Sequence, residues 1–330
     1  MKVSVIIPIY NVEKFVARCA ESLMRQTLRD VEFIFVNDGA TDGSMVALTS
    51  VLDNFSARKN QIKILQHTQN LGLPAARNTG MQVAQGEYVF HCDSDDYVEP
   101  DMLEKMYETA MSYRCDIVWS DYYLTSSHSE RYMKQPDFST SQEALDGILD
   151  GVMKYNVWNK LIRRSLYARH NISFPNGYGM GEDLTIIKLF SHAKNVRHIP
   201  LPLYHYVRLN EHAFCNTYSQ IHLQELKHNV DDVLAYVSAH YNGEVEDHLQ
   251  YFKLEVKFPF LISDKREQYR LWREWFPEAN GHAFKNRSMG IRRRLLQTMA
   301  AKGQWWFVWL YYTVLYRSNL INCGVRKGRA

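Results

Sequence analysis

Glu87-Tyr-Val-Phe-His-Cys-Asp-Ser-Asp-Asp96 is the stretch on which the fold turns. Tyr88 to Cys92 reads as a buried strand that runs straight into an acidic turn. Asp93, Asp95 and Asp96 crowd into four positions there, and carboxylates that close repel one another and raise each other's pKa. A hard divalent cation relieves that repulsion, since Mg²⁺ and Mn²⁺ take oxygen ligands and leave positions open for phosphates. In open α/β sheets ligands gather beyond the carboxyl ends of the strands, which is where this turn sits. Taken alone, the turn reads equally well as a solvated loop capping the helix that Pro100 opens.

Working outward, strands and helices alternate. Val3–Ile9, Val31–Val36, Ile62–Gln66, Tyr88–Cys92 and Asp116–Leu124 are apolar, largely β-branched or aromatic runs, and such runs mark buried strands. Helices are expected over Val12–Gln26, from Ser44 to about Ser56, after Asn70–Gly80 and over Pro100–Arg114. This alternation predicts βαβ units and a mostly parallel sheet flanked by helices. Beyond Ser126 the alternation loosens. Helices are expected from Gln142 to Lys154, from Trp158 through Leu166 and from Leu184 to Ala193, an extended segment over Val196–Arg208, and helix beyond His222. The expected division is residues 1–215 as a nucleotide-binding and catalytic domain and 216–330 as a helical C-terminal region.

Composition narrows the classes. Hydrophobic residues make up 46% of the 330, enough for a substantial core. The five cysteines are scattered without CxxC spacing, which speaks for reduced thiols in a cytoplasmic compartment and against a disulfide frame or zinc site. No apolar run approaches the ~18 residues of a membrane span, and no secretory leader is legible. Residues 281–330 carry ten Lys/Arg and no Asp/Glu, leaving the first 280 with 29 against 36. An acidic body with a basic tail, and no RNA-binding motif, excludes nucleic acid as the expected partner.

Five motifs stand in order at strand ends or helix starts: Pro8-Ile-Tyr-Asn11, Asn37-Asp-Gly-Ala-Thr-Asp-Gly-Ser44, Asn70-Leu-Gly72 with Ala76-Arg-Asn-Thr-Gly80, Asp93-Ser-Asp-Asp96 and Gly181-Glu-Asp183. Residues 1–215 thereby resemble the inverting family-2 glycosyltransferases of GT-A fold, of the bacterial surface-polysaccharide type. The resemblance implies transfer of a sugar from a nucleotide donor, UDP-linked, to a hydroxyl of a saccharide or lipid-linked acceptor, with Mn²⁺ or Mg²⁺.

What it implies for residues can be taken one at a time. Pro8 and Tyr10 would frame the base, although Tyr10 reads as well as a core aromatic at a strand end. Asp38 would accept the pyrimidine N–H, with Asn37 standing where the family usually has Asp. Asn70 belongs to the nucleotide set through its motif. Arg77 would face the nucleotide with a planar, permanently charged fork. Asp93 would meet the ribose and Asp95 the metal, while Asp96 would cap the next helix or orient Asp95. His205 would complete the metal shell or serve as a structural residue, and Arg208 would meet the diphosphate.

For the general base, Asp183 and its neighbour Glu182 both qualify. In-line attack requires a carboxylate within hydrogen-bond reach of the incoming hydroxyl. Gly177-Tyr-Gly-Met-Gly181 before them has the composition of a mobile lid, and Lys160 reads as a phosphate contact or a surface lysine. Two rivals are weighed: a non-catalytic nucleotide-sugar-binding protein, and a sugar-1-phosphate nucleotidyltransferase, which would need a Gly-rich N-terminal loop that Pro8–Asn11 lacks. The tail, Ile291-Arg-Arg-Arg-Leu-Leu296 followed by Trp305–Arg317, suits the inner face of a cell membrane, where Trp, Tyr and basic side chains prefer to sit. It suits a core helix or a homo-oligomer contact as well.

Overall fold

The computed structural model describes residues 1–127, 129–208, 219–241 and 245–316. Among the described residues nine strands form one sheet: β1 (Val3–Ile9), β2 (Val31–Asn37), β3 (Ile62–Gln66), β4 (Tyr88–His91), β5 (Tyr97–Val98), β6 (Ile117–Thr125), β7 (Glu130–Met133), β8 (Lys160–Arg163) and β9 (Val196–Val207). Their order is β3-β2-β1-β4-β8-β6-β9-β5, with β7 beside β6. The helices are α1 (Val16–Met24), α2 (Ser44–Leu52), α3 (Leu73–Val83), α4 (Met102–Ser112), α5 (Ser141–Leu149), α6 (Arg164–Arg169), α7 (Thr185–Phe190), α8 (Gln220–His240), α9 (Glu246–Lys257), α10 (Arg266–Glu274), α11 (Ile291–Ala301) and α12 (Trp305–Leu310).

Strands β1 to β4 pair in parallel, as the βαβ reading requires. The period-2 alternation of side chains explains why both faces of β1 are apolar. Val3, Val5, Ile7 and Ile9 join one cluster with Leu23, Leu48 and Met102 from α1, α2 and α4. Ile6 faces the other way, with Ile34, Val36 and Val89, onto Ala76 of α3. The parallel character is concentrated here and in the β6–β9 pair; β8 runs antiparallel to both β4 and β6.

That strand corrects one expectation. Trp158–Leu166 reads as a helix in sequence, yet residues 160–163 form β8 and helix begins only at Arg164. Leu161 and Ile162 are wholly buried between the two neighbouring strands, and the ladder bonds on both sides outweigh a weak helical preference.

The chain divides into two compact units, Met1–Ala144 with Tyr155–Val237, and Leu145–Lys154 with Ser238–Ala330. Most of α8 therefore belongs with the sheet. The boundary expected near residue 215 lies outside the described residues.

In the second unit, buried Lys257 donates to the carbonyls of Trp275 (2.7 Å) and Phe276 (3.0 Å) and to Asn280 Oδ1 (2.6 Å), 4.4 Å from the Trp272 ring centroid. Burial lowers its pKa to about 7. Asp150 accepts from Ser288 (2.8 Å) and is paired with His248 at 2.6 Å.

Candidate active site

The site grows from the C-terminal ends of β1, β2 and β4. Leaving β1, the chain passes through Asn11 at φ 51°, whose Oδ1 accepts from Thr41 N at 2.9 Å, so the first two loops are stitched together. Gly39, at φ +70°, has no room for a side chain: a Cβ there would lie 2.6 Å from the backbone carbon of Gln69. The turn after β2 is thus pressed against the loop that leads to α3. Gly72 precedes that helix at φ 91°, with Pro74 in its first turn, where a missing N–H costs nothing.

At the centre lies Arg77 of α3, 1% exposed. Its guanidinium reaches Asp93 Oδ1 (3.0 Å), Glu182 Oε1 (3.1 Å) and Asp183 Oδ1 (2.9 Å). One cation therefore gathers the acidic turn and the Gly181-Glu-Asp183 segment, which lie about ninety residues apart. Burial disfavours its charge, but Asp183, Asp93 and Glu182 more than offset this and raise its pKa.

Glu182 is pushed up to about 8 by burial and then by Asp183, a shift toward the protonated form. Asp183 is also raised by burial, with Arg77 opposing. Its side chain is 26% exposed against 10% for Glu182. Of the two, Asp183 is the more exposed and so has the better access for a proton acceptor.

Lys160 is the neighbouring cation, and it is no surface lysine. It is fully buried at the start of β8, donating to Asn156 O (2.6 Å) and Asn159 Oδ1 (3.0 Å). Burial lowers its pKa to about 7 while Asp183 acts to raise it.

In the acidic turn, Asp93 and Asp95 are partly exposed while Ser94 and Asp96 are buried. Asp96 accepts from Val207 N and Tyr204 Oη, both at 2.7 Å, and burial, then Asp95 and Asp93, raise its pKa well above the usual range. It therefore fastens the turn to β9, not to a following helix as its sequence position suggests. Tyr204 Oη also accepts from Asp93 N at 3.2 Å. Sequence reasoning missed this tyrosine; its only signal was an aromatic in a long extended run.

Other members of the expected set divide into outward and inward groups. Tyr10 is 47% exposed at the end of β1, which removes the core-aromatic alternative. Pro8 is buried within β1, and Asn70 and Arg208 are exposed. Asn37 is turned inward: its Oδ1 accepts from Ala40 N (2.9 Å) and its Nδ2 donates to Gln66 (2.7 Å). Asp38 accepts from Leu71 N and Gly72 N, each at 2.9 Å, and meets His67 Nδ1 at 2.6 Å. About four acceptor positions exist on a carboxylate, so Asp38 chiefly locks its loop to the one before α3. His67, which closes the same network through Thr79 at 2.9 Å, was not anticipated.

His205 as a metal ligand is corrected. Its two ring nitrogens lie 2.8 Å from Glu99 and 2.9 Å from Glu130, and Tyr97 stacks on the ring with centroids 4.1 Å apart. Both nitrogens are spoken for within the fold. Among the described residues no group of three or more His, Cys, Asp or Glu is placed to hold a metal unaided. Asp95, with Asp93 beside it, offers the oxygen donors that Mg²⁺ or Mn²⁺ accepts when substrate phosphates supply the rest.

The glycine run is fastened rather than loose. Asn229 of α8 donates to the carbonyls of Tyr178 (3.0 Å) and Met180 (2.9 Å), and Glu225 accepts from Met180 N at 3.0 Å. Gly181 sits at φ +84°, where a Cβ would come within 2.8 Å of Leu226. Nothing in the helical pattern of residues 220–240 signalled this clamp.

Residues 4–177 match the Glycosyl transferase family 2 domain, and the chain belongs to that family. The uncharacterized glycosyltransferase EpsJ of Bacillus subtilis is 34% identical over 62% of the chain and 60% of its own length. The cholesterol galactosyltransferase of Borreliella burgdorferi is 30% identical over 82% of the chain and 77% of its own. The structure of residues 1–349 of S. aureus TarS in complex with UDP-GlcNAc superposes with a TM-score of 0.69 at 19% identity, over 97% of the chain and 92% of TarS 1–349. At that identity the likeness is one of fold, a GT-A-like sheet flanked by helices.

Proposed function

We propose that the chain is an inverting glycosyltransferase that moves a sugar from a UDP-linked donor to a hydroxyl of a saccharide or lipid-linked acceptor. The observation that carries the reading is the triple contact of Arg77, which brings Asp93 of the acidic turn and Asp183 to one guanidinium. A donor at the strand ends and a base opposite it then share one cleft.

In this reading Asp183 accepts the acceptor hydroxyl's proton as the oxygen attacks the anomeric carbon from the face opposite the diphosphate. Glu182 beside it is biased toward the protonated form by burial and by Asp183, which lessens the negative charge gathered at Arg77. Mn²⁺ or Mg²⁺ held by Asp95 would supply positive charge to the departing diphosphate, with Asp93 toward the ribose. Tyr10, exposed at the end of β1, offers a ring face to the base. Arg208, exposed after β9, stands as a further cation for the phosphates.

The family match supports glycosyl transfer, and the UDP-GlcNAc of the TarS complex supports a uridine donor. The basic, aromatic end of the chain supports a cytoplasmic protein that meets the membrane surface. Trp306, Trp309, Leu310 and Val314 are exposed there, and no described helix is long and apolar enough to cross a bilayer. An acceptor embedded in or linked to lipid agrees with this and with the cholesterol galactosyltransferase among the relatives.

Nucleoside diphosphate release, followed across UDP-, GDP- and dTDP-sugars with Mn²⁺, tests the reading. Turnover of one UDP-sugar, abolished by chelator, is the expected result. No release from any donor, or release indifferent to chelator, would overturn the donor or the metal respectively.

A further inference from the structure

We propose that a cavity of about 420 Å³ beside the glycine run, bounded by the 171–178 segment and helices α7 and α8, binds a neutral sugar ring of the acceptor. The inference rests on the transfer reading above and assigns the acceptor a place that reading leaves open.

Position is the first argument. None of the residues lining the cavity belongs to the set read as holding the nucleotide, so donor and occupant do not compete. Yet the wall is joined to the catalytic carboxylates twice. Phe174 lines the cavity and lies 5.3 Å beneath the Arg77 guanidinium, and Asn78, next to Arg77, grips Phe174 through its N (3.0 Å) and O (2.9 Å) and Asn176 through its side chain (2.8 Å). On the other side the wall continues from Tyr178 through the clamped glycines to Asp183. His228, which lines the cavity, directly precedes Asn229, whose amide holds those glycines in place.

Chemistry is the second. The rings of Tyr178 and His228 stack with centroids 3.7 Å apart and planes 14° from parallel, and Tyr178 remains 39% exposed. A rigid, half-open aromatic platform suits the C–H face of a pyranose, which is flat and apolar, while amphipathic rings keep polar edges for its hydroxyls. Around the platform stand Asn176, Asp232 and Lys188. Asp232 is paired with Lys188, whose ammonium also lies 5.0 Å from the Tyr236 ring centroid. The ion pair cancels the local charge, so the cavity holds hydroxyl partners without a net attraction for phosphate. Its volume falls within the roughly 300–1,000 Å³ of small-ligand sites.

Saturation-transfer NMR on the full chain with UDP bound tests this, with the methyl glycosides of glucose, galactose, mannose and N-acetylglucosamine as probes. At least one glycoside should receive saturation, and its signal should fall at least fivefold in Tyr178→Ala and in Asp232→Asn. UDP signals recorded in the same samples report that each variant is folded and test the donor reading separately. UDP binding with no glycoside bound, or glycoside signals unchanged in both variants, would overturn the cavity as an acceptor site. Absence of UDP binding in the parent chain would instead overturn the donor reading.

Discussion

At the scale of single residues, the site is an exercise in distributing one positive charge among three carboxylates. Arg77 faces Asp93, Glu182 and Asp183 at once, and burial biases the most buried of them, Glu182, toward its protonated form. Asp183→Asn should lower turnover roughly 10²–10⁴-fold, the span of a lost general base, while calorimetric titration finds UDP binding nearly unchanged; retained turnover would remove Asp183 from the mechanism.

Because Asp183 is raised above the ordinary aspartate value of ~3.9, the acidic limb of kcat should lie above that value, with rate gained as pH rises and the base ionises. Glu182 has a consequence for stability. A carboxyl whose folded pKa exceeds its unfolded one contributes stability that is complete below about 4.5 and is lost as pH rises through about 8. Glu182→Gln mimics the protonated form, so its melting temperature should gain on the parent's between pH 5 and pH 9. A constant gap across that range would show that Glu182 is ionised throughout.

At the scale of elements, helix α8 and the loop before the 3-10 turn at Glu182–Leu184 act as one device. Asn229 holds two carbonyls of the glycine run, and small displacements at a reacting centre cost rate steeply. Asn229→Ala should reduce kcat/KM roughly ten- to a hundred-fold with no change in the donor's nucleotide preference. Steady-state kinetics showing parental kcat/KM would mean that the loop keeps its place without the clamp. The acidic turn depends on β9 in the same way. Asp96 and Tyr204 form a buried bond between the turn and a strand that the chain reaches only a hundred residues later, and the Asp-Ser-Asp-Asp pattern holds no sign of which carboxylate turns inward.

At the scale of the whole molecule, the second unit carries the exposed face Trp306, Trp309, Leu310 and Val314 within a stretch rich in Lys/Arg and free of Asp/Glu. Trp306→Ser with Trp309→Ser should abolish cosedimentation with phosphatidylserine vesicles at low salt and leave donor turnover unaffected; equal sedimentation of the double variant would remove the membrane from the account.

The alternation of strands and helices from β1 to β4 was legible in the sequence. Strand and helix periodicity and turn residues are local properties, and the motifs after β1, β2 and β4 sit at strand ends that their own neighbours define. What lay beyond the sequence were the pairings across it. Burial of His205 between Glu99 and Glu130, of Lys160 at the edge of β8, and of Asp96 against Tyr204 follows from which strands lie side by side. Arg77 could be named as a cation near the nucleotide, but only the packing of α3 against the 174–183 segment puts its charge on Asp183. Partner choice for a buried charge is a property of the assembled sheet, because desolvation acts on the folded surroundings and leaves no mark on the residues that flank the group in the chain.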